Sequence, residues 1–251
     1  MPSLSIDTTL NYSPNFNIIK RKAKNIKFII FHYTGMKKEI DAINLLTDQK
    51  SKVSCHYFIK KNGEILTLVP DLYISWHAGV SSWKSFNSIN KNSIGIEISN
   101  PGHDFKYKKF PTKQINSILK LTTFLIKKYK IKSNFILGHS DVAPDRKKDP
   151  GEKFPWMYLS RNKISYWHSL DPKTLLINRN KKVSNLEKDI FIKNIYKIGY
   201  PQNSNFNKIK YKKILTVAFQ RRFRQELING IIDQECLFIS KNLLKNLEKF
   251  S

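Results

Sequence analysis

The stretch GHSDVAPDRKKDPG, residues 138–151, sets an imidazole (His139) and a carboxylate followed by proline (Asp149) ten positions apart, with Arg146, Lys147 and Lys148 between them. Two such groups can share a divalent cation, because imidazole nitrogen and carboxylate oxygen are both ordinary zinc ligands. Pro150 biases Asp149 towards extended backbone, and in an extended run side chains two apart face the same way. Lys147 would then point where Asp149 points and could steady negative charge forming beside an ion. The other reading is a structural histidine followed by an Asp-Pro turn. The spacing alone leaves both open.

A catalytic zinc takes three protein ligands and keeps a fourth position for water or substrate. The chain has six histidines, at 32, 56, 77, 103, 139 and 168. Two of them follow runs that read as buried strands: NIKFIIFHYT reaches His32, and NFILG leads directly into His139. Neighbouring strands bring such ends together, and Asp149 can supply the third ligand. In SIGIEIS, Ile94, Ile96 and Ile98 alternate with Gly95 and Glu97, so Glu97 points away from the buried isoleucine face. It is either a working carboxylate or a solvated one. Asp141 is a candidate to orient His139 or to cap the loop that follows, and His103 and His168 read as surface or packing residues.

The elements that must position these groups alternate along the chain. After Gly35 an apolar face of Ile40, Ile43, Leu45 and Leu46 predicts a helix from about 38 to 49. SCHYFIKKNGEILTLVP predicts two strands joined by a tight turn at Asn62-Gly63 with positive φ. Helical spacing recurs from Thr112, read as an N-cap, to Lys130. Interleaved strands and helices predict an α/β fold, a mixed central sheet flanked by helices. Beyond about residue 170, DPKTLLINRNKKVSN reads as a linker. Three helical segments follow: Leu186 to Ile198 stopped by Gly199, Tyr211 to Phe223, and Glu235 to Phe250 with Asp233 as cap. The expected organisation is a catalytic domain over residues 1–170 and a small three-helix domain over 178–251.

With 40% apolar residues in 251, the chain can build a substantial core. Its formal charge of +26 would suit an acidic polymer or nucleic acid. The excess is spread along the whole chain, mostly as lysine, and accompanies no nucleic-acid module, so no nucleic-acid partner is expected. Cys55 and Cys236 stand far apart without metal-type spacing and predict two free thiols. The opening MPSLSIDTTLNYSPNF has no apolar run behind a basic end and no early cysteine for lipid attachment, and no segment reaches the length of a membrane span. A cytoplasmic location is the expectation, with the periplasm or cell envelope as the alternative.

The blocks FIIFHYTG, SCHYFIKKNGEILTLVP, SWHAGVSSW, NSIGIEISNPG and GHSDVAPDRKKDPG, in that order, resemble the zinc-dependent N-acetylmuramoyl-L-alanine amidase family across roughly residues 25 to 160. The resemblance implies an amidase or peptidoglycan-recognition-like fold. It also implies hydrolysis of the amide between N-acetylmuramic acid, or its anhydro form, and the first L-alanine of peptidoglycan or its fragments. It implies one Zn2+ held by His32, His139 and Asp149, with Glu97 as the catalytic carboxylate and Lys147 as the basic residue beside the metal. His56 and His77 fall in matching blocks and are expected in the cleft, with Trp76 and Trp83 as contact surface for sugar or peptide. The segment from IGYPQNSNF to NGIIDQE resembles a peptidoglycan-binding-like three-helix domain. A non-cleaving recognition protein of the same fold would need a broken ligand set, and all three ligand residues are present.

Overall fold

The computed structural model describes residues 6–248. Short strands β1 (Thr9–Leu10) and β2 (Phe16–Asn17) lead to β3 (Phe28–Tyr33), helix α1 (Glu39–Thr47) and the hairpin β4 (Tyr57–Ile59) and β5 (Ile65–Thr67). The two-residue strands β6 (Ile74–Ser75), β7 (Ser82–Trp83) and β8 (Phe86–Asn87) precede β9 (Ser93–Ile98), α2 (Thr112–Tyr129), β10 (Ile136–Gly138) and the single turn α3 (His139–Val142). Six strands form one sheet in the order β1-β5-β4-β9-β3-β10. Its neighbours are parallel except at the β4–β5 hairpin, so the expected mixed α/β sheet is found.

The two central strands are buried on both faces, and their alternation assigns the faces. Ile29 and Phe31 of β3, with Ile94, Ile96 and Ile98 of β9, pack against Ile118, Leu121 and Leu125 of α2. The opposite face carries Phe28, Ile30 and His32 from β3 and Ser93, Gly95 and Glu97 from β9, because side chains alternate with period two. Register places His32 directly beside Glu97. At the hairpin, the Lys60 N–H donates to the Glu64 carbonyl at 2.9 Å and Gly63 has φ +90°. A Cβ on Gly63 would lie 2.9 Å from the Lys113 carbonyl oxygen, so glycine is needed for both conformation and space. Thr112 is the first helical residue rather than the cap of α2. Pro111, extended at φ −62° and ψ 153°, takes the cap position.

Two further helices, α4 (Trp156–Arg161) and α5 (Pro172–Asn178), precede the three expected ones. Helix α5 falls where a linker was predicted. Asp171 accepts the Thr174 N–H at 2.9 Å and Pro172 occupies the first helical position, a start signal that outweighs the sparse apolar content of the segment. Helix α6 (Asn185–Ile198) begins on a reciprocal Ser184–Glu187 cap and ends at Gly199. Helix α7 (Lys208–Phe223) starts three residues before the expected Tyr211, at an Asn207 cap. In α8 (Gln234–Glu248), Asp233 accepts the Cys236 N–H as anticipated, whereas the expected end at Phe250 lies outside the described residues.

These helices share one core with the sheet: Phe191, Ile195, Leu215 and Phe219 belong to the same buried cluster as Phe28, Ile30, Leu137 and Val142. A fully buried residue of this kind contributes about 1.5–3 kcal/mol, so apolar contact accounts for most of the attachment. Both cysteines are buried and free. Among the described residues no helix is long and apolar enough to cross a membrane. Gly63→Ala is expected to lower the free energy of unfolding by about 1–3 kcal/mol, visible as a reduced urea midpoint; an unchanged midpoint would show that the turn accepts a side chain.

Candidate metal centre and active site

The C-terminal ends of parallel strands are where an open α/β sheet presents its crevice, and the candidate residues meet there. His32 and Asp149 are brought together with His139, at 1%, 7% and 3% exposure. Their ligand atoms form a nearly equilateral triangle: His32 Nδ1, His139 Nδ1 and Asp149 Oδ2 lie 3.0 Å from one another. Bonds of roughly 2.0–2.1 Å to one tetrahedral ion would put such donors about 3.3 Å apart, so the set fits a small divalent cation closely.

The remaining hydrogen bonds decide which way the imidazoles are protonated. A backbone carbonyl only accepts, so His139 Nε2, 3.1 Å from the Ala78 oxygen, carries that ring's proton and leaves Nδ1 as a bare lone pair. On the other side, Ser93 donates its hydroxyl proton to the Ile89 carbonyl at 2.8 Å. Ser93 Oγ must therefore accept from His77 Nε2 at 2.9 Å. His77 Nδ1 is then an acceptor for His32 Nε2–H at 3.0 Å, and His32 Nδ1 is bare as well. Burial, reinforced by the neighbouring His139 ring, lowers His32 to about 4, so it is neutral at pH 7. Two lone pairs and a carboxylate oxygen thus face one point. A bound cation relieves that mutual repulsion, and among the described residues these three form the group suited to hold one.

Adjacent residues of one loop orient both histidines: the His77 side chain serves His32 and the Ala78 carbonyl serves His139. Arg146 braces the same loop, donating from Nε to Val80 O at 3.1 Å and from Nη2 to both Ala78 O and Val80 O. Sequence reading missed Arg146. Its signal was only the presence of SWHAGV and GHSDVAPDRKKDPG in one chain, which does not reveal their contact. Gly95 lets His77 lie flat on the sheet, since a Cβ there would come 2.4 Å from the imidazole ring.

Glu97 lines the same cleft of about 380 Å³, as do Lys147, Trp76 and His77. Burial, followed by the Asp149 carboxylate, raises Glu97 to about 8, and Lys147 opposes the rise. Its Oε2 is buried and makes no hydrogen bond among the described residues. A carboxyl that exchanges its proton near neutral pH is suited to general acid and base work. Lys147 lies near enough to act electrostatically on both His32 and Glu97. Met36, Leu45 and Leu46 form an apolar part of the cleft wall.

Two expected contact residues lie elsewhere. His56 is wholly buried beneath the cleft: its Nδ1 accepts from Gly95 N–H at 3.0 Å, and its Nε2 faces the Tyr73 carbonyl at 3.1 Å. Burial and Arg21 lower it to about 3, so it is a neutral packing residue tying β9 to its neighbours. Trp83, 2% exposed, packs on Tyr200 with ring centroids 5.0 Å apart and supports the C-terminal helices rather than a ligand. His77 lines the cleft as expected, with both ring nitrogens committed within the protein, to His32 and Ser93. Asp141 makes no bond to the His139 ring; its carboxylate accepts from Gly138 N–H at 2.7 Å and from Tyr200 OH at 2.9 Å. His103 bridges Tyr33 and Glu152, a packing role.

A mixed sheet gathers two imidazoles, a carboxylate, a glutamic acid and a lysine into one cleft, and three of these groups are placed to hold a metal ion. A family model for N-acetylmuramoyl-L-alanine amidase matches residues 22–152, and the chain belongs to that family. It is 31% identical over 232 residues to N-acetylmuramoyl-L-alanine amidase AmiD of Escherichia coli K12, covering 88% of this chain and 83% of that protein. The 1,6-anhydro-N-acetylmuramyl-L-alanine amidase AmpD of Citrobacter freundii is 39% identical over 105 residues, 42% of this chain and 54% of AmpD. Among solved structures, E. coli AmiD with anhydro-N-acetylmuramic acid-L-Ala-D-γ-Glu-L-Lys superposes with a TM-score of 0.77 at 30% identity, over 88% of this chain and 90% of AmiD. AmpDh3 of Pseudomonas aeruginosa in complex with anhydromuramic pentapeptide gives 0.78 at 27% identity, over 98% and 99% of the two chains.

Gly95→Ala is expected to displace His77 and free the His32 ring, costing about 1–3 kcal/mol of stability and weakening metal retention. Thermal unfolding and metal content after dialysis measure the two effects. Full retention of both would mean that His77 does not hold His32.

Proposed function

We propose that this chain is a zinc hydrolase that cleaves the amide between N-acetylmuramic acid, or its anhydro form, and L-alanine in peptidoglycan fragments. Membership of the amidase family and the anhydromuropeptides bound in the AmiD and AmpDh3 structures support the substrate class. The observation that carries the reading is the convergence of His32 Nδ1, His139 Nδ1 and Asp149 Oδ2 at 3.0 Å, with the other nitrogen of each ring engaged on the far side. Nitrogen and carboxylate donors in a three-ligand set are those of a catalytic zinc. Zinc held there supplies Lewis acidity, acidifying water and polarising the scissile carbonyl.

The protein's own groups complete the reaction. Glu97 removes a proton from the attacking water as its oxygen adds to the carbonyl carbon. It returns that proton to the alanine nitrogen as the carbon–nitrogen bond breaks. Lys147 stabilises the negative charge that develops on the carbonyl oxygen, an interaction worth about 3 kcal/mol in comparable sites. The apolar wall of Met36, Leu45 and Leu46, with Trp76 at the rim, offers a surface to the lactyl and sugar portion. The intact donor set favours cleavage over recognition alone. The C-terminal helices, by the likeness of their sequence to a peptidoglycan-binding-like domain, are proposed to keep the enzyme near its polymer.

Metal analysis combined with release of stem peptide from an anhydromuropeptide tests the proposal. His139→Ala should lose the ion and all activity above background, and chelation of the wild type should do the same until Zn2+ is restored. A wild type without zinc and a fully active His139→Ala would refute it. Glu97→Gln should keep its zinc while kcat falls by about 10²–10⁴. Lys147→Ala should likewise keep zinc and lose about 10²–10³ in kcat; loss of the ion from either variant would reassign that residue to structure.

A further inference from the structure

Helix α7 sends a buried cation beneath the metal centre. Arg222 is 2% exposed and Asp141 1%. Arg222 Nη1 donates to Asp141 Oδ2 at 2.5 Å, and its Nη2 donates to the Ile136 carbonyl at 3.0 Å. The guanidinium also lies over the Trp156 ring, 4.1 Å from its centroid. Tyr200, between α6 and α7, donates its hydroxyl to the other oxygen, Asp141 Oδ1. The carboxylate so gripped turns back to accept Gly138 N–H at 2.7 Å.

This places His139 inside a bracket of backbone bonds. Gly138 before it is tied to Asp141; Ser140 after it donates to the carbonyl of the ligand Asp149 at 2.9 Å; and Ala143 N–H returns to the His139 carbonyl at 2.9 Å. Two C-terminal side chains therefore hold the one residue that closes the bracket. Stability alone does not account for them. The helices already bury a large apolar surface against β3 and β10, and replacing a buried ion pair by apolar groups of similar volume is often neutral or stabilising. What apolar contact cannot supply is direction. A fixed carboxylate with both oxygens engaged sets the turn on which the His139 lone pair is aimed.

We infer that Arg222 and Tyr200 are positioning residues for the metal ligand His139, acting through Asp141, so that the C-terminal helices help to build the metal centre. The inference rests on the proposed metal site and deepens it. It also gives the helices a role that binding of polymer does not require.

The test uses the full chain stripped of metal and titrated with Zn2+ against a chromophoric chelator, with circular dichroism to establish that each variant is folded. Arg222→Met should raise the zinc dissociation constant about tenfold or more, the range seen when outer partners of metal ligands are removed. Tyr200→Phe, which keeps the ring and deletes one hydrogen bond, should shift it in the same direction by less. Activity of both should recover as free Zn2+ is raised, with KM unchanged, a response that a packing defect would not produce. Folded variants that bind Zn2+ within about twofold of the wild type, well below that range, would overturn the inference while leaving the metal centre standing. If Arg222→Met does not fold, Tyr200→Phe decides. A wild type that takes up no Zn2+ would overturn the metal centre and this inference together.

Discussion

Three electron-rich atoms pointed at one spot are unfavourable in a protein interior unless a cation joins them. The structure holds His32, His139 and Asp149 in that arrangement with most of their surface removed from water. Left alone, imidazoles beside a carboxylate would turn an N–H towards it and form an ordinary hydrogen bond. Here both N–H groups are engaged on the far side, by His77 and by the Ala78 carbonyl. Much of the surrounding architecture can be understood as the means of enforcing that choice.

The sheet supplies the first part. Parallel β3 and β10 end side by side, so His32 and His139 emerge close together although 107 positions separate them. Beside them, β9 contributes small and polar residues on the same face: Ser93 ends the proton chain, Gly95 admits the His77 ring, and Glu97 reaches the cleft. The isoleucines of the same strand face α2. A single six-residue segment thus anchors the core with one set of side chains and organises the site with the other. This division also sets the state of the carboxyl, since burial is what moves Glu97 to about 8.

The second part comes from outside the segment matched by the family model. Helix α7 and Tyr200 lie beyond residue 152, yet they grip the turn that begins with His139. A short helix such as α3 has little stability of its own, and its geometry is taken from what surrounds it. Tertiary contacts with the C-terminal helices provide that surrounding, since these helices and the sheet share one hydrophobic cluster.

Periodicity and local signals determined much of this protein without reference to tertiary structure. The alternation in SIGIEIS, the helical spacing after Thr112, the Asn62-Gly63 turn and the Asp233 cap are all consequences of neighbours within a few residues, and each appears where local sequence places it. The strand-end positions of His32 and His139 belong to the same class. Partnership across long sequence distances was decided only by the fold. It turned His77 inward to orient His32, buried His56 and Trp83 away from the cleft, recruited Arg146 to the Ala78 loop and Arg222 to Asp141. A side chain's type states which bonds it can make, but which of them it makes depends on the atoms that packing delivers to it.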